Sequence, residues 1–167
     1  MHYFAYCTWL DDKELRRFMP EARAITRGKA VNHRLQFHAA GTRMDRGWCH
    51  LSSAVPTAWG HSCLGVVFEH DPVHFDEDYD DFERCAVTVL GEDGTSYHCW
   101  TYRLISPGIA MRPPDFYWTH IPQGLRQWSF PKDYVHSVIS TYNAAADCPH
   151  ADRPNPSAKP GKSADTR

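Results

Sequence analysis

Residues 75–82 read Phe-Asp-Glu-Asp-Tyr-Asp-Asp-Phe, five carboxylates within positions 76–81. A carboxylate held beside a reacting group can take a proton and later return it, as general base and then general acid. The same run also reads as a solvated acidic loop. Cys7 is a second reactive type. It follows the strand-like Met1–Tyr6 in a turn, where loop N–H groups can lower a thiol pKa and make it a nucleophile. No histidine is tied to Cys7 by local spacing. Tyr6 and Tyr117 carry phenols that either orient a polar ligand or fill a half-buried position. His61-x-Cys63 and His98-Cys99 are too sparse for a zinc site, which needs clustered ligands. No metal and no cofactor are expected.

These residues must be positioned by a mixture of strands and short helices. Residues 1–6 alternate and are rich in aromatics, which predicts a strand. Asp11 and Asp12 look like helix-start residues, Leu10, Leu15 and Phe18 share a helical face, and Pro20 ends that helix. The spacing predicts a strand over Ala30–His38, an exposed loop over 41–47, and strands over Trp48–Val55 and Cys63–Glu69. Cys85–Leu90 and Ser96–Leu104 flank Gly91-Glu-Asp-Gly94, which predicts a hairpin. After Pro107 the pattern is irregular up to Pro113-Pro114. Asp115 then reads as the N-cap of a helix to about His120, and 131–142 as a last helix with Pro131 in its first turn. The tail from about Pro149 is nearly free of apolar residues and is expected to be disordered, leaving 1–148 as one domain. The fold class expected is α+β, with a small mixed, mainly antiparallel β-barrel flanked by helices.

The chain has 167 residues, 42% of them hydrophobic and 23% charged, with formal net charge -2. That balance gives no electrostatic case for nucleic acid. No apolar run approaches the roughly 20 residues of a membrane helix, and the N-terminus lacks the pattern of a signal peptide. A cytoplasmic location is expected by default, with no membrane partner. The six cysteines read, in a reducing compartment, as buried small hydrophobes.

An ordered set of motifs then stands out. Tyr3-Phe4-Ala5-Tyr6-Cys7-Thr8-Trp9-Leu10 resembles the Y-F-A-Y-G-S-N-L signature of the gamma-glutamylcyclotransferase-like family. Gly28-x-Ala30 with Arg34-Leu35-x-Phe37, Gly47-x-x-x-Leu51, Leu64-Gly65-Val66-Val67-Phe68 and Phe82-x-Arg84-x-x-Val87-x-Val89 resemble its successive strands. Pro113-Pro114-x-x-Tyr117-x-x-x-Ile121-x-x-Gly124, then Phe130-Pro131-x-x-Tyr134, resembles its closing segment. The chain is identified on these motifs, over roughly residues 3–134, as a divergent member of that family.

The resemblance implies a small barrel with a cavity at one end, and an enzyme that cuts a gamma-glutamyl amide without water. The substrate's α-amine attacks its own side-chain carbonyl, and 5-oxoproline and a free amine leave. A carboxylate moves the proton, backbone N–H groups of the signature loop hold the oxyanion, and the fold of the bound chain supplies proximity. Two parts differ here. Cys7, Thr8 and Trp9 stand where the family has Gly, Ser and Asn; glycine there permits φ > 0 and close approach. Trp9 either narrows the pocket and stacks on a substrate or packs on the barrel mouth. In the family's L-D-x-x-E register the acid position falls on Tyr79, whose pKa near 10 makes a poor base. A shift of one residue gives Asp80, and Glu77 is the further candidate. Tyr6, Cys7, Thr8, Trp9, Leu10, Tyr79 and Tyr117 are the implied substrate-binding residues. The reading is a small-molecule enzyme. A catalytically degenerate relative that binds a small molecule or a protein is the alternative, and a different lyase or cyclase lies between them.

Overall fold

The computed structural model describes residues 1–41, 43–53, 62–70 and 81–149, with Arg43 by its backbone alone. Eight strands and four helices follow in the order β1 (His2–Ala5), α1 (Asp12–Arg16), β2 (Arg23–Val31), β3 (His33–Ala40), β4 (Arg43–Ser53), β5 (Ser62–Glu69), β6 (Phe82–Gly91), β7 (Ser96–Leu104), β8 (Pro107–Ala110), α2 (Asp115–Trp118), α3 (His120–Gln127) and α4 (Lys132–Ala144). A 3-10 turn at Thr8–Leu10 joins β1 to α1.

Five strands close into a barrel in the order β1-β5-β2-β6-β7. β7 pairs with β1 in parallel, while β1–β5, β5–β2, β2–β6 and β6–β7 are antiparallel. The expected α+β fold with a mixed, mainly antiparallel barrel is present. A second sheet, β4-β3-β8, is formed by the chain that leaves β2.

Strand alternation sorts the side chains. In β6, Val87 and Val89 are buried while Ala86, Thr88 and Leu90 are exposed. Paired residues share a face, so Phe4 with Val67, and Val87 with Cys99, turn inward. Thr101 lies on the same inner face, and its Oγ1 donates to the Phe4 carbonyl at 2.7 Å. Gly65 is required by this packing: a Cβ there would lie 2.6 Å from the Phe4 ring.

The register also fixes which ends coincide. Because β1 and β7 run in parallel from His2↔Cys99, the Cys7 end of β1 lies level with Leu104. Leu104 pairs with Phe82, so the start of β6 sits at that same end. His70, after β5, lies at the opposite end, its N–H donating to the Met1 carbonyl at 3.1 Å. The segment that carries the acidic run therefore joins the two ends of the barrel.

Several elements differ from expectation. Residues 23–31 form a strand, and the expected strand over Ala30–His38 is divided by a turn at Asn32, whose φ of 60 a short polar side chain tolerates. Residues 43–47, expected as loop, are the start of β4, held by pairing to β3. Pro107–Ala110 is an edge strand on β3. His120–Gln127 is a helix of its own despite Pro122 and Gly124, because Pro122 falls in the first turn. Gly124 has a reason to be there: a Cβ would lie 2.6 Å from the Asp11 nitrogen. The tail from 150 and residues 71–80 lie outside the described residues.

Candidate functional site

The signature loop is fastened from three sides. Leu10 is wholly buried, α3 lies on its backbone through Gly124, and Trp128 Nε1 donates to the Leu10 carbonyl at 2.8 Å. Asp11, almost fully buried, caps α1 by accepting from the Lys13 N–H at 3.1 Å, and its other oxygen meets His120 Nδ1 at 2.7 Å. The third fastening is covalent. Cys7 and Cys49 form a disulfide, Cα–Cα 6.4 Å, that ties the loop to β4.

This corrects two expectations. Cys7 is half of a cystine and not a thiol nucleophile, and two of the six cysteines are bonded rather than packed as free hydrophobes. Cys63 and Cys99 are buried free thiols, both pushed up to about 12 by burial. The glycine substitution at position 7 also costs no left-handed strain, since Cys7 has φ −132.

Tyr117 reaches this loop. α2, which opens after Pro113-Pro114, aims its phenol so that the oxygen lies 3.2 Å from Cys7 Sγ, and the Cys49 N–H donates to it at 3.4 Å. The ring stands edge-on to Trp48, with centroids 5.3 Å apart. Tyr6 is on the inner face and buried; its hydroxyl donates to the Tyr102 carbonyl at 2.7 Å, and burial followed by the neighbouring Tyr117 phenol raises its pKa. Thr8 is half-buried at the start of the turn. Trp9 packs on the outside of the barrel against Tyr3, Phe18 and Tyr102, with centroids at 5.5, 5.4 and 6.1 Å. Glu77, Tyr79 and Asp80 lie outside the described residues.

The described residue next to them is informative. Asp81 is only 8% exposed, and its carbonyl accepts the Ile105 N–H at 3.0 Å, which holds this residue at the Cys7 end of the barrel. Beside it, Phe82 touches Trp48 ring to ring at 6.1 Å, and Trp48 in turn meets Tyr117.

Three residues near this end were not singled out by the motifs: Glu83 and Arg103 on the inner face of the barrel, and His50 on β4 of the second sheet. Glu83 pairs with Arg103 across β6 and β7, and Arg103 Nε donates to Glu83 Oε1 at 2.7 Å. The ring of His50 on β4 stands 5.8 Å from that of His38, nearly perpendicular to it. Its pKa falls to about 4, through burial first and then the charges of His38 and Arg103, so the imidazole is neutral at pH 7. The signal for Glu83 lay in the alternation of β6, since positions 83, 85, 87 and 89 share a face. Arg103 and His50 had no such signal. Among the described residues, no group of three His, Cys, Asp or Glu side chains converges as a metal site needs. No helix in the described residues is long and apolar enough to cross a membrane.

With this geometry in place, the likeness to known structures is specific. The chain superposes on a gamma-glutamyl cyclotransferase with a TM-score of 0.68 at 17% identity, covering 95% of this chain and 91% of that one. The fold is that of gamma-glutamyl cyclotransferase. YkqA from Bacillus subtilis gives a TM-score of 0.70 at 16% identity over 88% of this chain and 55% of YkqA. An uncharacterized protein from Homo sapiens gives 0.68 at 16% over 92% and 90%. No family model matches the chain, and no curated protein does. In this cyclotransferase fold the loop, Tyr117 and the entry of β6 occupy one end of the barrel.

Proposed function

We propose that this protein is a cyclotransferase-type enzyme that cleaves a gamma-glutamyl amide, releasing 5-oxoproline and a free amine. The observation that carries this reading is the meeting of three parts at one barrel end: the 7–10 loop, the Tyr117 phenol 3.2 Å from Cys7 Sγ, and the buried Asp81, which follows directly on Asp80 in sequence. Asp80 is the proposed base, with Glu77 as the second candidate.

The neutral α-amine of the bound substrate attacks its δ-carbonyl carbon, and a new C–N bond closes the five-membered ring. The attacking nitrogen gives a proton to the carboxylate. The carbonyl oxygen carries negative charge until the old amide C–N bond breaks. The departing nitrogen then takes the proton back from the carboxylic acid, so one group serves as base and acid. Tyr117 orients the glutamyl part, and the disulfide fixes the loop that lies against it. Prepositioning of this kind supplies much of the rate of a ring closure.

The test is release of 5-oxoproline from a panel of gamma-glutamyl amino acids, gamma-glutamyl amines and glutathione. Release is expected from at least one member, and Asp80→Asn is expected to lower kcat by roughly 10²–10⁴-fold with the fold intact. Full activity in that variant together with loss in Glu77→Gln reassigns the base; no release from any member refutes the reading.

A binding module of the same fold is the second reading. The commitment of Tyr6 to the Tyr102 carbonyl and of Trp9 to the outer aromatic cluster favours it, because both are then wall rather than contact. A ligand that binds without turnover distinguishes it.

A further inference from the structure

The two sulfurs of the Cys7–Cys49 bond stand in different surroundings. Cys7 is half-buried at the head of the signature turn, while Cys49, within β4, is 1% exposed. Thiol–disulfide exchange needs access to the sulfur that is attacked. A thiolate arriving from solvent can therefore attack Cys7 Sγ and not Cys49 Sγ. Cys63 and Cys99 do not compete for this chemistry. Both are buried, and burial pushes both thiols up to about 12, so neither supplies a thiolate near neutral pH.

Tyr117 is the second, independent observation. Its oxygen lies 3.2 Å from Cys7 Sγ. A cystine sulfur carries no proton, so the phenol is the donor. The same oxygen accepts the Cys49 N–H at 3.4 Å. A donor aimed at a sulfur favours its thiolate form when the S–S bond breaks. The sulfur that can be reached is thus also the sulfur whose thiolate has a donor in place.

The surrounding fastenings make the opening local. Upstream of Cys7, β1 is paired on both sides, to β5 and to β7. Downstream, the Leu10 carbonyl is held by Trp128 and the Asp11 carboxylate by His120. Both ends of the loop stay anchored without the disulfide. α2 is four residues long, buries none of them fully, and meets the cystine through Tyr117. Its Trp118 keeps a separate hold by stacking on Tyr142 at 3.9 Å. Breaking the bond loosens Cys7–Trp9 and Tyr117 and leaves the barrel closed.

We propose that Cys7–Cys49 is a thiol–disulfide exchange site, a latch on the signature loop that a small dithiol opens in the folded protein by attack at Cys7. The electron pair of the incoming thiolate forms a new S–S bond to Cys7 Sγ. The Cys7–Cys49 bond breaks, its pair leaves on Cys49 Sγ, and that sulfur takes up a proton. The second thiolate of the dithiol then attacks the first sulfur of the same reagent and expels Cys7 as a thiolate, which meets the Tyr117 O–H and is protonated in turn. The cystine gains two electrons and two protons, and the dithiol becomes a cyclic disulfide. The exchange site stands without the proposed reaction. Only its consequence for turnover, a loosened Tyr117, rests on that reading.

The test uses the full chain, oxidised, at millimolar dithiothreitol in increasing sub-denaturing urea. N-ethylmaleimide quenches the samples and peptide mass analysis reads each cysteine. Reduction of the pair is expected at a rate that low urea leaves unchanged, with the near-ultraviolet circular dichroism of the folded protein retained. Oxidised dithiothreitol is expected to restore the bond. Mercaptoethanol in place of the dithiol is expected to leave its adduct on Cys7 and the maleimide on Cys49. Hydrogen exchange of the reduced protein is expected to show loss of protection at residues 7–9 and 115–118 and none across β5. The proposal is overturned if the pair resists the dithiol, if its reduction accelerates with urea in step with unfolding, or if the adduct sits on Cys49. Where 5-oxoproline is released, kcat/KM of the reduced protein is expected to fall roughly tenfold, the loss of one orienting hydrogen bond, and to recover on reoxidation. An unchanged kcat/KM overturns the link from latch to turnover. Absence of any release alongside the expected exchange refutes the proposed reaction and leaves the exchange site standing.

Discussion

The two faces of β7 make opposite use of adjacent residues. Trp100 and Tyr102 turn outward into an aromatic cluster with Tyr3 and Trp9, rings meeting at 4.6 to 6.1 Å. Thr101 and Arg103 turn inward, one sealing the barrel against the Phe4 carbonyl, the other opening onto a charged corner. The outer face holds the loop in place by apolar contact. The inner face carries the Glu83–Arg103 ion pair across β6 and β7. In this protein the signature aromatic Trp9 belongs to the scaffold, packed on the outer rings of β7.

The division can be tested by asking how much stability each face carries. The largest stability effect belongs to the disulfide that joins them. Cys7→Ser with Cys49→Ser removes a cross-link spanning 42 residues and is expected to cost about 4 kcal/mol on the chain-entropy model. Urea unfolding of the oxidised protein against the double variant measures it, and a thiol count of four in the unfolded, unreduced protein, for Cys63, Cys85, Cys99 and Cys148, checks the pairing.

Next in size is a pH effect from β4. The pKa of His50 falls from 6.5 unfolded to about 4 folded. The folded state therefore favours the neutral ring. The stability this represents is complete above pH 6.5 and is lost as pH falls from 6.5 through about 4, since the unfolded state takes up the proton first. The loss amounts to about 3 kcal/mol. His50→Gln is expected to flatten that slope in unfolding curves taken between the two pH values; an unchanged slope places its origin elsewhere.

Trp9→Ala is expected to cost about 2 kcal/mol, less than a fully buried tryptophan because the ring is half-exposed. Arg103→Leu, across the same strand wall, is expected to change stability by less than about 1 kcal/mol, as exposed ion pairs do. Equal losses in the two would erase the distinction between the faces. The smallest effect on stability is Tyr117→Phe, within about 1 kcal/mol. Its kcat/KM is expected to fall roughly tenfold through loss of one orienting hydrogen bond.

The scaffold was legible in the sequence wherever local pattern and tertiary packing agree. Leu64–Phe68 is apolar and β-branched, and it is the central barrel strand β5. Gly91–Gly94 marks the β6–β7 hairpin, with Gly94 at φ 82. β2 was hidden because Arg23, Arg27 and Lys29 interrupt its apolar pattern and its turn uses Asn32 without glycine or proline. α3 was hidden by Pro122 and Gly124, both favourable there for reasons that exist only in three dimensions. In the site, Tyr117 was singled out by the resemblance of Pro113-Pro114-x-x-Tyr117 to the family's closing segment. The Cys7–Cys49 bond could not be found, because its partners meet only once β4 folds over the barrel end.

Cleavage in water enriched in oxygen-18, followed by mass analysis of the glutamyl product, tests the central claim most directly. Attack by the substrate's own amine predicts 5-oxoproline free of the label, formed in equal amount with the departing amine. Glutamate carrying one labelled oxygen, the mark of attack by water, would contradict it.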